Sequence, residues 1–338
     1  MESITFSIII PTYNCEDLMK QTLDSIVIQK EELFECIIID GLSKDKTLHI
    51  IKEYASKYSN IHYVSEKDKG VYDAMNKGID LVKGKYLYFL GAGDTLDENA
   101  LFNVNNEIED EDFVLGRSYH VSRKEFFYMP LKKSDLIYNF INHQAIFYKK
   151  YLFEILGKYD LNYHIFADNV LNRKIFGRDD ITKKIINTKI AYYLGNGISE
   201  NPNLNDKLKV DFEKITVDSF GISYIEELYS KLNNINDKHI IAWGNGGEYS
   251  TASKYKSFNI DYFVKSHADK NELFNNKPVK QKEKLLKENK ENILVFVYSK
   301  MYYNEIRNWL EENGFIEFKN FILVTEEVFR ILKYIKKI

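Results

Sequence analysis

Three carboxylates in the first hundred residues follow apolar segments. Asp94 stands after the apolar residues 86–90 and is separated from them only by the small residues 91–93, which leave room for a ligand. Asp40 and Asp68 follow two earlier apolar segments. Carboxylate oxygens at the exposed end of a buried strand are the ligands that Mg²⁺ takes together with substrate phosphates. The pattern therefore predicts a local site for a metal ion and a phosphate group.

The segments before these carboxylates have the length and the β-branched or aromatic composition of buried strands, and amphipathic helical segments separate them. The predicted strands are residues 6–10, 36–39, 61–64 and 86–90. Strands that alternate with helices predict an α/β fold with a mostly parallel sheet, in which ligands bind at the carboxyl ends of the strands. Thr12, Asp40, Asp68 and Asp94 should then meet at one edge, although any one of them could instead cap a turn. Asn14 is predicted to cap the first helix.

The predicted helix at residues 71–82 carries apolar side chains on one face and polar side chains on the other. A polar helix face is usually only solvated. Lys77 and Gly78, however, combine a cation with a backbone position that allows close approach, as a diphosphate group requires. The helix is therefore a candidate part of the phosphate site.

The composition is that of a soluble globular protein, with 44% hydrophobic and 29% charged residues. A net charge of −3 lacks the excess of Lys and Arg that nucleic-acid binding requires, so no nucleic-acid partner is expected. Two cysteines, Cys15 and Cys36, cannot build a disulfide framework and suit a reducing cytoplasm. Neither a signal peptide nor a membrane anchor is expected at the N-terminus, because it has no charged n-region and Pro11 interrupts the apolar residues 6–10. No segment reaches the roughly 20 apolar residues of a membrane span.

Four segments of the chain carry a family resemblance. They are SIIIPTYN at residues 7–14, IIIDGLSKDKT at 37–47, SEKDKGVYDAMNKG at 65–78 and YLYFLGAGDTL at 86–96. Together they resemble family 2 glycosyltransferases of the GT-A fold, in particular the bacterial enzymes that build surface polysaccharides, over about residues 3–200. The resemblance implies transfer of a hexosyl or N-acetylhexosaminyl residue from a nucleoside diphosphate sugar, expected to be UDP-linked, to an acceptor hydroxyl. It also implies inversion at the anomeric carbon and Mg²⁺ or Mn²⁺ as the cofactor.

The resemblance implies roles for individual residues on the donor side. The donor-binding positions are Thr12, Tyr13, Asp40, Asp68, Asn76 and Lys77. The first four would hold the nucleoside, Asp40 through its base, and the last two would lie near the diphosphate. Asp94 matches the last acid of the family's Asp-x-Asp metal motif, whose earlier positions are Ala92 and Gly93 here. Because one carboxylate can suffice when substrate phosphates complete the coordination shell, metal and nucleotide are expected to bind together.

Later segments match family positions around the sugar and the acceptor. Arg117 stands in the part that faces the donor sugar, or alternatively on a polar edge strand. His143 and Gln144 resemble the family's His-Gln motif and would position the sugar or the diphosphate rather than transfer protons. Asp168 matches the general base that takes the proton of the acceptor hydroxyl, although the helical spacing after it also fits an N-cap. Residues 195–199 resemble a glycine-rich segment that closes over the donor.

A different pattern begins beyond residue 200. The predicted domains are a GT-A domain at residues 1–200, a helical connection at 201–236 and a small Rossmann-like α/β domain at 237–338. The predicted strands of the last domain are residues 239–243, 260–264, 293–297 and 321–324. The C-terminal helix at residues 328–338 is expected to pack its apolar face inward, with an anionic membrane surface as the alternative.

The glycine-rich turn of the last domain departs from the dinucleotide fingerprint. Tyr249 stands in place of the third glycine, and Lys265 and Ser266 replace the acid that would hold a ribose. A redox dinucleotide is therefore not expected. A packing or oligomerisation role is favoured, with nucleotide binding as the alternative.

The leading hypothesis is an inverting nucleotide-sugar transferase of bacterial surface polysaccharide or glycan synthesis. A non-catalytic nucleotide-sugar-binding protein of the same fold is the alternative, because Ala92 and Gly93 occupy the earlier positions of the metal motif and leave it with one carboxylate. A nucleotidyltransferase or a glycosidase is a further rival, but a glycosidase needs two carboxyl groups that flank one bond and no diphosphate pocket. The expected partners are the donor and a glycan or lipid-linked acceptor in the cytoplasm. Peripheral contact with the inner face of the membrane and formation of a homo-oligomer stay open.

Overall fold

The strands and helices predicted for the first half of the chain form one sheet with helices against it. The computed structural model describes residues 4–195, 205–232, 235 and 237–336. The strands of this half are β1 (Phe6–Thr12), β2 (Phe34–Asp40), β3 (Ile61–Ser65), β4 (Tyr86–Phe89), β5 (Thr95–Leu96), β6 (Phe113–His120), β7 (Glu125–Phe126), β8 (Ile146–Lys149) and β9 (Lys183–Tyr193). The helices are α1 (Glu16–Val27), α2 (Thr47–Lys57), α3 (Val71–Leu81), α4 (Ala100–Glu107), α5 (Tyr151–Leu156) and α6 (Ala167–Phe176).

The sheet has a parallel half and a mixed half. Its strand order is β3-β2-β1-β4-β8-β6-β9-β5, with β7 paired to β6. The strands from β3 to β4 are parallel, as predicted, whereas β8 is antiparallel to both β4 and β6. The sequence missed β5, β7, β8 and β9, because two of them have only two residues and β9 mixes buried and half-exposed positions without clean alternation.

The core of the parallel half consists of β1 and β2, which are buried along all seven of their residues. This burial explains their continuous β-branched composition, since helices cover both faces of such strands. In the register of the sheet Thr12 lies opposite Asp40, and Asp40 lies opposite Ser65. The ends of β1, β2 and β3 are therefore level, and we call this line of residues the carboxyl edge.

The predicted cap of α1 is wrong. The helix begins at Glu16 after Cys15, whose side chain makes no capping hydrogen bond, and Oδ2 of Asp45 accepts instead from the Glu16 N–H at 3.1 Å. Asn14 instead adopts a left-handed backbone with φ 47°, and its Oδ1 accepts a hydrogen bond of 2.8 Å from the backbone N–H of Lys44. Its own N–H donates to the Ser43 hydroxyl at 2.9 Å. Asn14 thus joins the loop after β1 to the loop after β2, a contact that local spacing could not reveal.

Gly78 has a packing role at the middle of α3. A Cβ atom at this position would lie 2.5 Å from Cγ2 of Ile9 in β1, so only glycine lets the helix lie this close to the sheet. The predicted close approach at Gly78 therefore exists, but its partner is the sheet.

The chain divides into two units, Met1–Leu208 and Lys209–Ile338. The division assigns residues 209–236, most of the predicted connection, to the second unit. The remaining helices are α7 (Asn205–Phe220), α8 (Ile222–Tyr229), α9 (Gly247–Ala252), α10 (Tyr303–Glu312) and α11 (Glu326–Ile335). The remaining strands are β10 (His239–Trp243), β11 (Ile260–Lys265), β12 (Leu273–Phe274), β13 (Lys277–Gln281), β14 (Ile293–Val297) and β15 (Phe321–Leu323).

The second sheet has the strand order of a doubly wound fold. Five parallel strands lie in the order β13-β11-β10-β14-β15, and β12 pairs antiparallel with β13 at the edge. The order reverses at β10, the first strand of the unit, as in one half of a Rossmann fold. The predicted second α/β sheet is therefore present, with β12 and β13 as additions that the sequence did not predict.

The last helix packs its apolar face inward, as predicted. Val328, Phe329, Ile331 and Ile335 of α11 are all buried. Within the part of the chain that the structure describes, no helix has both the length and the apolar character needed to cross a bilayer.

We expect Gly78→Ala to destabilise the protein by about 1–3 kcal/mol. The new methyl group overpacks the contact with Ile9, and the free-energy cost of this overpacking exceeds the gain in helix propensity from glycine to alanine. Urea unfolding measures the change, and Leu81→Ala on the exposed part of the same helix is the control. In Ile9→Ala the obstructing atoms are absent, so the double variant should lose less stability than the sum of the single variants. Strict additivity would contradict the contact.

Candidate active site

The carboxyl edge is held together by buried polar contacts. The Asp40 carboxylate is fully buried and accepts hydrogen bonds from the Ser65 hydroxyl at 2.6 Å and from the Ser43 N–H at 3.2 and 3.3 Å. The Thr12 hydroxyl lies 2.6 Å from Sγ of Cys15 and is also buried. Thr12 and Asp40 therefore meet at one edge, as predicted. Their contacts with a nucleotide stay predictions, since both side chains bind the protein itself here.

Tyr13 and Asp68 present accessible groups beside this edge. Tyr13 is 58% exposed, and Asp68 is half-buried. Gly41 lies between them, because a Cβ atom there would lie 2.4 Å from Oδ2 of Asp68 and 3.4 Å from Cδ2 of the Tyr13 ring. The Asp68 carboxylate also accepts from the Gly70 N–H at 2.9 Å. An aromatic ring beside a carboxylate suits a nucleoside, which offers a flat base and ribose hydroxyls.

Lys77 makes an ion pair and a hydrogen bond with the loop that follows β3. Its ammonium group lies 2.9 Å from Oε1 of Glu66 and donates to the backbone oxygen of Lys67 at 2.6 Å. The hydrogen bond to Glu66 raises the pKa of Lys77, so this cation is fully charged at neutral pH. Lys77 thus stands beside the loop of Asp68 as a partly exposed cation.

Asn76 has a structural contact. Its side-chain amide donates to the backbone oxygen of Tyr159 at 2.8 Å and accepts from the Tyr159 N–H at 3.0 Å. Both ends of the amide are therefore used to join α3 to the segment before α6. Its place near a diphosphate remains a prediction.

Side chains of α1 hold the backbone around Asp94. The Thr22 hydroxyl accepts a hydrogen bond from the Gly93 N–H at 2.8 Å and donates one to the backbone oxygen of Asp94 at 2.9 Å. The Gln21 side chain donates to the backbone oxygen of Gly93 at 2.8 Å. Gly93 has φ 107°, a left-handed conformation that favours glycine. The polar face of α1 therefore sets the position of Asp94, and sequence reasoning missed this because such a face usually meets only solvent.

The Asp94 carboxylate is buried between two elements far apart in the chain. Its Oδ1 accepts from the Leu194 N–H at 2.9 Å, and its Oδ2 accepts from the side-chain amide of Gln144. A Cβ atom at Gly91 would lie 2.7 Å from Oδ2 of Asp94, so Gly91 makes room for this contact. Burial raises the pKa of Asp94 to about 6, although the Leu194 N–H and the nearby His143 oppose the rise.

A single turn of 3₁₀ helix, His143–Ala145, connects Asp94 with Asp168. The Gln144 side chain binds Asp94, and Nδ1 of His143 lies 3.5 Å from Oδ2 of Asp168. The Asn142 side chain caps the turn by accepting from the Gln144 N–H at 2.9 Å. The structure therefore brings His143, Gln144, Asp94 and Asp168, four of the predicted site residues, into one cluster.

Asp168 lies in the first turn of α6, and its carboxylate faces polar side chains. The Tyr72 hydroxyl donates to Oδ1 at 2.7 Å, and the Asn169 amide donates to Oδ2 at 3.2 Å. Burial acts to raise the pKa of Asp168, but the hydrogen bond and charge of His143 together with the Tyr72 hydroxyl outweigh it and lower the pKa below its ordinary value. Asp168 is therefore an ionised, oriented carboxylate and does not cap the helix, whose N-cap residue is Phe166.

Arg173 lies on the same helix as Asp168, one to two turns closer to its C-terminus. Its guanidinium is buried and donates from Nε and Nη2 to the backbone oxygen of Leu136 at 3.2 and 2.7 Å. Burial lowers the pKa of Arg173 to about 9, and the Asp168 charge opposes this effect. Sequence reasoning missed Arg173, Tyr72 and Asn169, because each occurs at an ordinary helical position.

The residues present fit a hard divalent cation only in part. Within the described residues no three or more His, Cys, Asp or Glu side chains group as metal ligands. Asp94 supplies one carboxylate, and Oε1 of Gln144 beside it is buried without a hydrogen-bond partner. Two such oxygens suit Mg²⁺ or Mn²⁺ when the phosphates of a substrate supply further ligands.

Two predicted parts of the site remain outside this cluster. The Arg117 guanidinium lies 3.8 Å from the ring centroid of Phe126 and donates to Asn187 at 3.2 Å, and within the described residues it contacts none of the clustered carboxylates. Its role toward the donor sugar stays a prediction. Of the predicted closing segment, residues 196–199 lie outside the described residues.

Comparison with known proteins gives consistent matches over the first half of the chain. The family model for glycosyl transferase family 2 matches residues 7–176. A PGL/p-HBAD biosynthesis glycosyltransferase of Mycobacterium bovis (strain BCG / Pasteur 1173P2) is 37% identical over 201 residues, which are 57% of this chain and 78% of that protein. A poly(ribitol-phosphate) beta-glucosyltransferase of Bacillus spizizenii is 35% identical over 118 residues, 33% of this chain and 18% of that protein.

Among solved structures, TarS 1–349 of S. aureus in complex with UDP-GlcNAc is similar to this chain. The TM-score is 0.55 at 15% identity, over 75% of this chain and 81% of that chain. This likeness confirms the predicted GT-A fold.

We expect Asp94→Asn to remove a pH dependence of stability. The pKa of Asp94 is about 6 in the folded protein and roughly 3.9 in an unfolded chain, so the folded state keeps a proton that the unfolded state loses. Stability should therefore fall as the pH rises from about 4 to about 6, by at most about 3 kcal/mol, and the loss should persist at neutral pH.

Because asparagine cannot ionise, the variant should match the wild type near pH 4 and be more stable near pH 7.5. Thermal unfolding of both proteins in metal-free buffer measures the difference, and Asp17→Asn at an exposed position controls for the loss of one charge. Parallel stability curves for wild type and Asp94→Asn would contradict the raised pKa.

Proposed function

Because this chain belongs to glycosyl transferase family 2, we propose that it transfers a sugar, with inversion, from a UDP-sugar to a hydroxyl of a bacterial surface glycan. Glycosyl transfer is the reaction class of the family. The observation that carries the proposal is the turn at His143 and Gln144, which joins a carboxylate suited to the donor's metal and a carboxylate suited to the acceptor.

The donor side rests on groups that match a nucleoside diphosphate sugar. Tyr13 and Asp68 would meet the nucleoside, and Lys77 would approach the diphosphate once it exchanges its protein partners for phosphate oxygens. The related S. aureus structure is in complex with UDP-GlcNAc, which supports a UDP-linked hexosyl or N-acetylhexosaminyl donor for this chain. The names of the relatives, a biosynthesis glycosyltransferase and a poly(ribitol-phosphate) beta-glucosyltransferase, support a glycan acceptor.

The chemistry of an inverting transfer requires one base near the acceptor. The acceptor hydroxyl gives its proton to Asp168 while its oxygen attacks the anomeric carbon on the face opposite the diphosphate. The bond from that carbon to the diphosphate oxygen breaks with both electrons as the new glycosidic bond forms. Tyr72 and His143 keep the Asp168 carboxylate ionised and oriented before the acceptor arrives.

Enzymes of this family generally depend on a divalent metal ion. Asp94 and Oε1 of Gln144 are the groups that would hold Mg²⁺ or Mn²⁺ beside the donor phosphates. Such an ion neutralises charge on the leaving diphosphate when it is bound. The Gln144 amide holds Asp94 in place for this role.

We expect a matching UDP-sugar to raise the melting temperature of the full chain in the presence of Mn²⁺, and Mn²⁺ alone to change it little. The reason is that one carboxylate and one amide oxygen bind a cation weakly until diphosphate oxygens join them. A thermal-shift panel of UDP-, GDP- and dTDP-sugars with and without Mn²⁺ identifies the donor. Release of nucleoside diphosphate from that donor, measured with a panel of glycan acceptors whose hydroxyls receive the sugar, then measures turnover. Strong stabilisation by Mn²⁺ alone would contradict the single-carboxylate site, and binding without release from any donor would contradict transfer.

We expect Asp168→Asn to slow sugar transfer by roughly 10²–10⁴-fold, because the amide cannot accept the acceptor proton. The dissociation constant of the donor should change by less than about twofold, since Asp168 is assigned to the acceptor. Asp179→Asn, an exposed change shortly after the same helix, is the matched control. Melting temperatures confirm that both variants fold. A normal rate of transfer in Asp168→Asn would show that another group is the base.

A further inference from the structure

A cavity of about 400 Å³ lies in the second unit, apart from every residue of the proposed transfer reaction. Its lining comes from the carboxyl ends of β10 and β11 and from the segment after β14. The order of the parallel strands reverses at β10, and crevices at such a reversal are where doubly wound sheets bind ligands. The volume falls in the range of roughly 300–1,000 Å³ that small-molecule sites occupy.

The lining of the cavity includes cations and hydroxyls. Lys265, Ser266, Lys282 and Ser299 all line it. The Lys265 ammonium lies 2.6 Å from Oε1 of Glu272, so its charge is largely compensated. The Lys282 ammonium lies 5.0 Å from the ring centroid of Trp309 and makes no ion pair within the described part of the chain. Lys282 is thus a cation that an anionic group in the cavity could pair with.

The lining of the cavity also includes aromatic rings. Trp243 and Trp309 lie with their ring centroids 5.4 Å apart at an interplanar angle of 70°, and Tyr302 adds an exposed ring. Glu305 supplies an acceptor for hydroxyl groups in the same lining. The lining would therefore suit a ligand that has a flat ring, hydroxyl groups and an anionic group.

The glycine-rich turn after β10 contributes Gly244 to the lining of the cavity. Gly244 has φ 95°, and Cβ atoms built at Gly246 and Gly247 would meet nothing within 4 Å. Tyr249, in contrast, packs its ring against Phe263 and Tyr298 at centroid distances of 5.1 and 5.0 Å. This ring occupies the position of the third fingerprint glycine, where a dinucleotide-binding fold brings helix and strand together closely. The turn therefore lacks the close helix–strand packing of a dinucleotide site.

We propose that this cavity binds a mononucleotide. Lys282 with Ser266 and Ser299 binds its phosphate, the two tryptophans contact its base, and Glu305 accepts a hydrogen bond from its ribose. This proposal favours the nucleotide-binding alternative for the second unit over a purely packing role. It is independent of the proposed transfer reaction.

Tryptophan fluorescence isolates this cavity from every other site on the full-length chain. The chain has two tryptophans, Trp243 and Trp309, and both line the cavity. We expect AMP or UMP to quench the emission, excited at its red edge, in a saturable manner. Adenosine, which lacks the phosphate, should bind at least about tenfold more weakly than AMP.

Lys282→Ala should weaken nucleotide binding about tenfold, because one charge-assisted contact to the phosphate is lost. Lys282 begins the 3₁₀ segment Lys282–Lys287, and Lys287→Ala at its exposed end should leave binding within about twofold and is the matched control. Circular dichroism and the melting temperature confirm that both variants fold. The proposal is overturned if neither nucleotide quenches saturably, if adenosine binds as tightly as AMP, or if Lys282→Ala binds like the wild type.

Discussion

Two buried carboxylates depend on one short turn. Gln144 donates to Asp94, and the adjacent His143 lies beside Asp168. A buried carboxylate without hydrogen-bond donors costs several kcal/mol of folding free energy. Because the turn supplies a partner to each carboxylate, both carboxylates constrain where the turn can lie. The cap from Asn142 keeps the turn in the conformation that serves both. The same contacts that stabilise the fold therefore hold the two proposed reaction groups beside each other.

The two halves of the first sheet carry different groups of the proposed reaction. Parallel strands end level with one another, and the loops after them carry the groups assigned to the donor, such as Tyr13 and Asp68. The antiparallel strand β8 follows directly from the turn at His143, and helix α6 brings Asp168 to it. Asp94 and Asp168 thus come from different segments of the chain, and both lie beside the turn at His143 because β8 pairs with β4, the strand that precedes Asp94.

The second unit repeats the same physical rule with different side chains. Backbone at the carboxyl ends of parallel strands opens into a crevice wherever neighbouring connections leave in opposite directions. In the first sheet such ends carry carboxylates, and in the second they carry Lys265 and Ser266 together with two tryptophans. The chemistry of each crevice therefore follows from the residues after the strands, while its existence follows from strand order.

The sequence by itself determined the centres of the strands that are buried on both faces, since β1, β2, β10 and β14 each have a continuous apolar segment of at least three residues. It also determined that polar residues follow these strands, and the quoted motifs identified the family. Only the tertiary structure decided what those residues contact. Tyr72 and Asp168 are 96 positions apart, and Asp94 and Leu194 are 100 positions apart. Hydrogen bonds of that span depend on how strands pair across the sheet, and local spacing carries no information about that pairing.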